Sequence, residues 1–166
     1  MQIWIEPDGY VRAGTHRWRC ALGRGGLKAA KREGDGATPA GVYALGRVFY
    51  RADRLGEPRT GLPVVSLAPT MGWCDDPQHA DYNQLITLPH PAHHEKMWRA
   101  EAIYDVVVEI HYNMDPIVPG LGSAIFLHIA KPQYTPTEGC IALEIKDLLE
   151  LLSLCNEGDA VSIPVP

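Results

Sequence analysis

The residues best suited to covalent chemistry fall in one stretch, His128-Ile129-Ala130-Lys131-Pro132-Gln133-Tyr134-Thr135-Pro136-Thr137-Glu138-Gly139-Cys140-Ile141-Ala142-Leu143. Cys140 follows Gly139, and a glycine lets the backbone turn sharply while leaving room for a substrate carbonyl. A thiol at such a turn can attack an acyl carbon, with nearby backbone N–H groups aimed at the developing oxyanion. His128 stands at the end of an apolar run, from which an imidazole could reach across the loop and take the thiol proton. Most lone cysteines are small buried hydrophobes and most lone histidines are satisfied structural groups. What favours chemistry here is the glycine before the cysteine, in a loop just ahead of an expected helix.

Other clusters carry weaker signals. His90, His93, His94 and Glu95 offer the imidazole and carboxylate groups that suit zinc. Their H-x-x-H-H spacing fits no ligand pattern and prolines surround them, so a solvated or substrate-shaping loop is expected, with a metallopeptidase as the rival reading. Trp73-Cys74-Asp75-Asp76, Tyr82-Asn83 and His111-Tyr112-Asn113 are polar–aromatic loops able to line a peptide cleft, although asparagine after a strand is equally a turn residue. Asn113 and Ser123 are candidate substrate contacts. The one local basic stretch, Arg24 to Arg32 with Lys28 and Lys31 between, reads as a solvated loop or as a receptor for a small anionic group.

The elements that must position these groups read as mostly β. Pro7-Asp8-Gly9 separates Met1–Ile5 from Val11–Cys20 as a hairpin. Val42–Leu45 is an expected strand that Arg47–Tyr50 extends past Gly46. Val64–Leu67 and Leu85–Leu88 are short strand candidates, and Glu95–Arg99 an expected helical turn. Tyr104–Ile110 is β-branched and strand-like, and Ser123–Ile129 is short and apolar enough to be buried on both faces. Leu148, Leu149, Leu151, Leu152 and Cys155 recur at helical spacing, with Gly158 as the expected C-cap. Ala160–Ile163 is a last strand. The expected fold is mainly β with minor α, a curved or barrel-like sheet with one helix of the C-terminal region packed on it.

The 166 residues fit a single domain, 1–166, able to bury a substantial core. A formal charge of −5 argues against nucleic acid as the main partner, because phosphate binding needs a concentrated positive surface. The four cysteines are scattered, form no CxxC pair and fit a reducing compartment as free thiols. Met1-Gln2-Ile3-Trp4-Ile5-Glu6-Pro7 has no basic n-region, long apolar run or cleavage site, and no later stretch approaches the ~20 apolar residues of a membrane helix. The expectation is a cytoplasmic protein without membrane attachment. Its oligomeric state is not legible.

Thr137-Glu138-Gly139-Cys140-Ile141-Ala142-Leu143 resembles the signature of the L,D-transpeptidase (YkuD-type) family, typically Ser/Thr-His-Gly-Cys-hydrophobic-Arg/Asn. Glu33-Gly34-Asp35-Gly36-Ala37-Thr38-Pro39-Ala40-Gly41 is similar to the family's early Thr-Pro-x-Gly element, and Gly122–His128 to the strand leading into its histidine. The resemblance covers most of the chain, in an atypical branch without a signal peptide. It implies Cys140 as nucleophile, His128 as base and Gly139 as part of the catalytic turn. Thr137, Glu138, Ser123, Asn113 and Arg32 are the candidate substrate contacts. Two departures stand out: Glu138 replaces the usual histidine and Ala142 the usual Arg or Asn, so Arg32 or Lys131 is the candidate replacement cation.

The resemblance also implies a substrate, the peptidoglycan tetrapeptide stem or a soluble muropeptide, cleaved between a diamino acid and D-alanine through a thioester. No metal or organic cofactor is expected. Water as acceptor gives an L,D-carboxypeptidase of muropeptide recycling, which the expected location favours. An amine acceptor gives a cross-linking L,D-transpeptidase. A non-catalytic module that binds wall fragments is the further alternative.

Overall fold

A computed structural model describes residues 1–166. Apolar residues alternate from its first strands: Ile3 and Ile5 in β1 (Gln2–Glu6), Val11 and Ala13 in β2 (Tyr10–Ala13), and Trp18 and Cys20 in β3 (His16–Ala21) all enter one core. The sequence reading of one strand over Val11–Cys20 is corrected. Gly14, at φ +57°, turns the chain and splits that segment into an antiparallel pair. Further along come the two-residue strands β4 (Leu27–Lys28) and β5 (Thr38–Pro39), then β6 (Gly41–Tyr50), which runs unbroken through Gly46. Next are β7 (Val64–Ser66), β8 (Met71–Cys74), β9 (Leu85–Thr87) and β10 (His94–Lys96). The chain ends with β11 (Val106–Ile110), β12 (Phe126–Ile129), β13 (Ile141–Leu143), the helix α1 (Ile145–Leu154) and β14 (Ala160–Ile163).

The principal sheet has the order β11-β12-β13-β3-β2-β1-β14-β6-β7, and a further β11–β6 pairing closes it on itself. Barrel closure removes most free strand edges. Leu148, Leu151 and Leu152 of α1 complete the core that the inward residues of the barrel begin. A smaller sheet, β10-β8-β9, lies outside. Its Trp73, with Met97 and Tyr104, packs on Phe49, Val107 and Phe126 as a second core with Cys140 among its members.

Several expected boundaries move. Glu95–Arg99 does not form a helical turn. His94–Lys96 pairs instead with β8, Glu95 standing opposite Trp73, so tertiary pairing overrides the local preference. A short 3-10 turn, Ala102–Tyr104, precedes β11. Ala124 at φ +53° delays β12 until Phe126. The helix ends at Cys155, whose N–H bonds to the Leu152 carbonyl, and Gly158 serves the turn into β14 rather than the cap.

The strand next to the site shows why two-sided burial matters. Leu127 and Ile129 belong to the barrel core, so Phe126 and His128 must project from the other face. On parallel β13 the same alternation sends Ile141 and Leu143 inward, while Cys140, in the turn just before the strand, packs in the outer core with Phe126.

Candidate active site

His128 on β12 and Cys140 at the entry to parallel β13 therefore open on the same side of the sheet, with His128 in register beside Ala142. Both border a single cleft of about 190 Å³. Cys140 lies in the loop ahead of α1, as the sequence reading expected, with the short strand β13 between it and the helix. Its setting depends on the turn before it. Gly139 adopts φ +136°, and a Cβ there would stand 2.7 Å from the Ala37 carbonyl oxygen. The Thr137 hydroxyl accepts the Gly139 N–H (3.1 Å) and donates to the Cys140 carbonyl (2.6 Å). The Arg24 N–H bonds to the Thr137 carbonyl (2.8 Å), tying this turn to the loop after β3. Thr137 is thus a brace of the turn as well as a lining residue.

The thiol of Cys140 is buried and donates to the Ala124 carbonyl at 3.2 Å. Burial first, and then the negative charge of Glu95, push its pKa up to about 12. The buried His128 is pushed the other way, down to about 4, chiefly because desolvation penalises the imidazolium. The resting pair is therefore neutral thiol and neutral imidazole. His128 Nδ1 lies 2.9 Å from the Ile129 carbonyl. A carbonyl only accepts, so Nδ1 carries the proton and Nε2 holds the basic lone pair. The ring edge rests against Tyr104, centroids 5.3 Å apart.

Glu95, Arg99, Ile103, Tyr104 and Lys131 also line the cleft. Tyr104 donates to Glu95 Oε2 at 2.7 Å, and burial holds the Glu95 carboxyl above its ordinary range. Sequence reasoning placed Glu95 in a histidine loop and missed Arg99 and Tyr104 altogether. The available signal was the strand-type alternation that puts Glu95 and the fully buried Met97 on one side. Of the sequence candidates, Glu138 lines the cleft, but it is 76% exposed and paired with Arg24 at 2.9 Å. That guanidinium holds its carboxyl below the usual range.

The other candidates do not line the cleft. Ser123 donates to Glu33 (2.8 Å), and Asn113 bonds to Val118 and Gly122 within its own loop. Arg32 is exposed, its N–H bonded to Asp35 (2.9 Å). Lys131, the other cation named from sequence, does reach the cleft.

The histidine loop does not converge on a common point. His93 faces Asp75, His94 faces the Ala92 carbonyl, and His90 Nε2 lies 3.1 Å from Asp81. His79, Asp81 and His90 do bring ligand-type atoms within 4.8 Å of one another. There, however, His79 Nδ1 accepts the Asp81 N–H and His90 Nδ1 the Ala92 N–H, so hydrogen bonds account for the cluster.

The profile of the L,D-transpeptidase catalytic domain (YkuD) matches residues 2–163. The chain belongs to the YkuD family. Comparison with curated proteins and with solved structures returned no match. Membership makes this L,D-transpeptidase domain a cysteine enzyme of peptidoglycan chemistry and agrees with its closed, mainly β sheet. No helix is long and apolar enough to cross a membrane.

Proposed function

We propose that this YkuD domain cleaves the bond between the diamino acid and D-alanine of a peptidoglycan tetrapeptide stem, with Cys140 as nucleophile, His128 as base and water as acceptor. The observation that carries the proposal is the shared face. An imidazole of fixed tautomer on β12 and a thiol in the turn that enters adjacent β13 open onto one cleft.

Because both groups rest neutral, proton transfer accompanies attack rather than preceding it. Sγ forms a bond to the acyl carbon while its proton passes to His128 Nε2, and the carbonyl becomes an oxyanion. Gly139 N–H is already given to Thr137, so we assign the oxyanion to the Cys140 N–H. On collapse the C–N bond breaks, the imidazolium returns its proton to the departing amine, and D-alanine leaves a thioester. Water then adds through His128, the C–S bond breaks and the thiol is restored. Ala142 beside His128 cannot supply the family's usual polar side chain, and Arg99 and Lys131 are the cations that line the cleft.

Water as acceptor is supported by the lining of the cleft, in which only three of eleven residues are hydrophobic. A lining that mixes such polar groups with apolar ones can admit water, and an acyl-enzyme that water reaches hydrolyses. The test is mass spectrometry of a tetrapeptide muropeptide incubated with the protein, with and without an amine acceptor. Tripeptide plus free D-alanine is expected, with little dimer. Dimer as the main product would replace hydrolysis by cross-linking, and no product in either arm would overturn the enzyme reading.

A further inference from the structure

The mechanism leaves one buried polar side chain unused. Asn83 is 2% exposed and sits at φ +56°, a backbone conformation that asparagine tolerates better than most residues. Its Oδ1 accepts the indole N–H of Trp73 (3.0 Å) and the backbone N–H of Ala124 (3.0 Å). Its Nδ2 donates to the carbonyls of Tyr112 (3.1 Å) and Asn113 (2.8 Å). All of its amide capacity is thus committed, and it joins β8, the end of β11 and the approach to β12. Ala124 is itself at φ +53°, where an alanine is strained, and its carbonyl is the one that receives the Cys140 S–H.

We propose that Asn83 is a positioning residue that parks the nucleophile: by holding Ala124 in its left-handed conformation, it aims the Ala124 carbonyl at Sγ and keeps the thiol protonated and oriented until substrate arrives. The physical reason is a preference for one protonation state. A carbonyl can accept from S–H but repels a thiolate, so this contact stabilises the neutral thiol. Loss of the Asn83 contact removes the force that keeps Ala124 strained, the carbonyl swings away, and Sγ loses its acceptor, leaving the Phe126 N–H, which favours the thiolate, as its backbone partner. The thiol then becomes easier to deprotonate but is worse placed for attack. Reactivity toward a small electrophile and catalytic turnover move in opposite directions.

This inference rests on Cys140 being the nucleophile, and the two can fail separately. Asn83→Gly suits the test, because glycine adopts the same φ without strain while the side chain is removed. Iodoacetamide labelling is followed by mass spectrometry at each of Cys20, Cys74, Cys140 and Cys155, all free and buried, alongside steady-state kinetics on the tetrapeptide fragment. Labelling of Cys140 alone should rise about tenfold at neutral pH, with its pH profile shifted to lower pH, as expected for loss of one hydrogen bond that favours the neutral thiol. In the same variant kcat should fall about tenfold with KM nearly unchanged.

Trp73→Phe removes a different hydrogen bond to the same Oδ1. It should cost stability while leaving the Cys140 profile in place. Equal labelling of all four cysteines in Asn83→Gly would mean unfolding, in which case Asn83→Ser removes the same contact with less volume lost and carries the same expectation. An unchanged Cys140 profile in a folded Asn83 variant, or an equal shift in Trp73→Phe, overturns the positioning role. Full turnover in Cys140→Ala would instead overturn the nucleophile.

Discussion

The turn before β13 and the end of α1 each hold a cysteine, and by thiol chemistry alone the two are twins. Cys140 donates to the Ala124 carbonyl and Cys155 to the Leu151 carbonyl, both at 3.2 Å. Both are buried, and burial pushes both thiols up to about 12. The difference lies in what surrounds them. Cys155 is enclosed by the barrel core, whereas Cys140 borders a cleft shared with an imidazole. Acidity and burial therefore do not single out a nucleophile in this fold. The proposed role of Cys140 rests instead on access and on a base on the same face, which alternation along β12 and the entry to β13 brings together.

The most severe way to break the comparison is to remove each sulfur. Cys140→Ala should lower turnover by about 10⁴-fold or more while leaving the fold intact, since a methyl forms no thioester. Cys155→Ala should leave turnover per folded molecule unchanged and cost about 1–2 kcal/mol of stability through lost packing. Steady-state rates and denaturant titrations on both variants decide the matter. Equal loss of activity in the two would mean that access is not what separates them.

His128 supplies the next largest effect. His128→Ala should slow acylation by about 10²–10⁴-fold. The acidic limb of the wild-type pH–rate profile should lie near pH 4, because burial lowers His128 to about 4 from 6.5. The same depression makes stability depend on pH. Between those values the unfolded chain binds a proton that the fold excludes, so stability is full above about pH 6.5 and falls as pH drops toward 4. The loss attributable to His128 is up to about 3 kcal/mol over that window. A limb near 6.5, or an identical acid transition in His128→Ala, would show that the imidazole is not desolvated.

How far the sequence disclosed this arrangement depends on the range of the interaction involved. The Pro7-Asp8-Gly9 turn made the hairpin of β1 and β2 visible, a short apolar run made β12 visible, and helical spacing made α1 visible, because those signals are local. His128 and Cys140 were legible from the apolar run and from the Gly139 turn. Glu95, Arg99 and Tyr104 were not, since their place on the cleft comes from β10 pairing with β8 and from the 3-10 turn before β11. Asn83 looked like a turn residue, and only three-dimensional closure brings the Ala124 amide to it. Asn113 and Ser123 stand off the cleft for the same reason, their polar groups bonding within their own loop and to Glu33.

The glycines of the two regions sharpen the contrast further. Gly139 and Gly158 both have positive φ, but a Cβ at Gly139 would press on the Ala37 carbonyl, while one at Gly158 meets nothing within 4 Å. Gly139→Ala should cost about 2–4 kcal/mol, from strain plus the clash, and should displace Cys140 enough to reduce kcat. Gly158→Ala should cost only the conformational part, about 1 kcal/mol, with kinetics unchanged. Thermal melts paired with kcat measurements test both. A kcat for Gly139→Ala equal to wild type would mean that the turn does not set the position of the sulfur.

The smallest expected effect concerns two exposed carboxylates, one in each region. Glu138 stands where the family usually has histidine, borders the cleft and pairs with Arg24, yet it is largely exposed. Glu150, on α1, accepts the indole N–H of Trp18 at 2.8 Å and lies away from the cleft. An exposed charge already paired with a guanidinium contributes little to a third partner, and salt screens what remains. Glu138→Gln should therefore change KM for the tetrapeptide donor by no more than about threefold, with kcat untouched and the difference fading at high ionic strength. Glu150→Gln should change neither constant. A large, salt-resistant rise in KM for Glu138→Gln would mean that substrate displaces Arg24 and buries this carboxylate, and Arg24→Gln would then lower KM by freeing it. Kinetics of the two single variants and the Arg24→Gln, Glu138→Gln pair at two salt concentrations separate a bystander ion pair from a substrate contact.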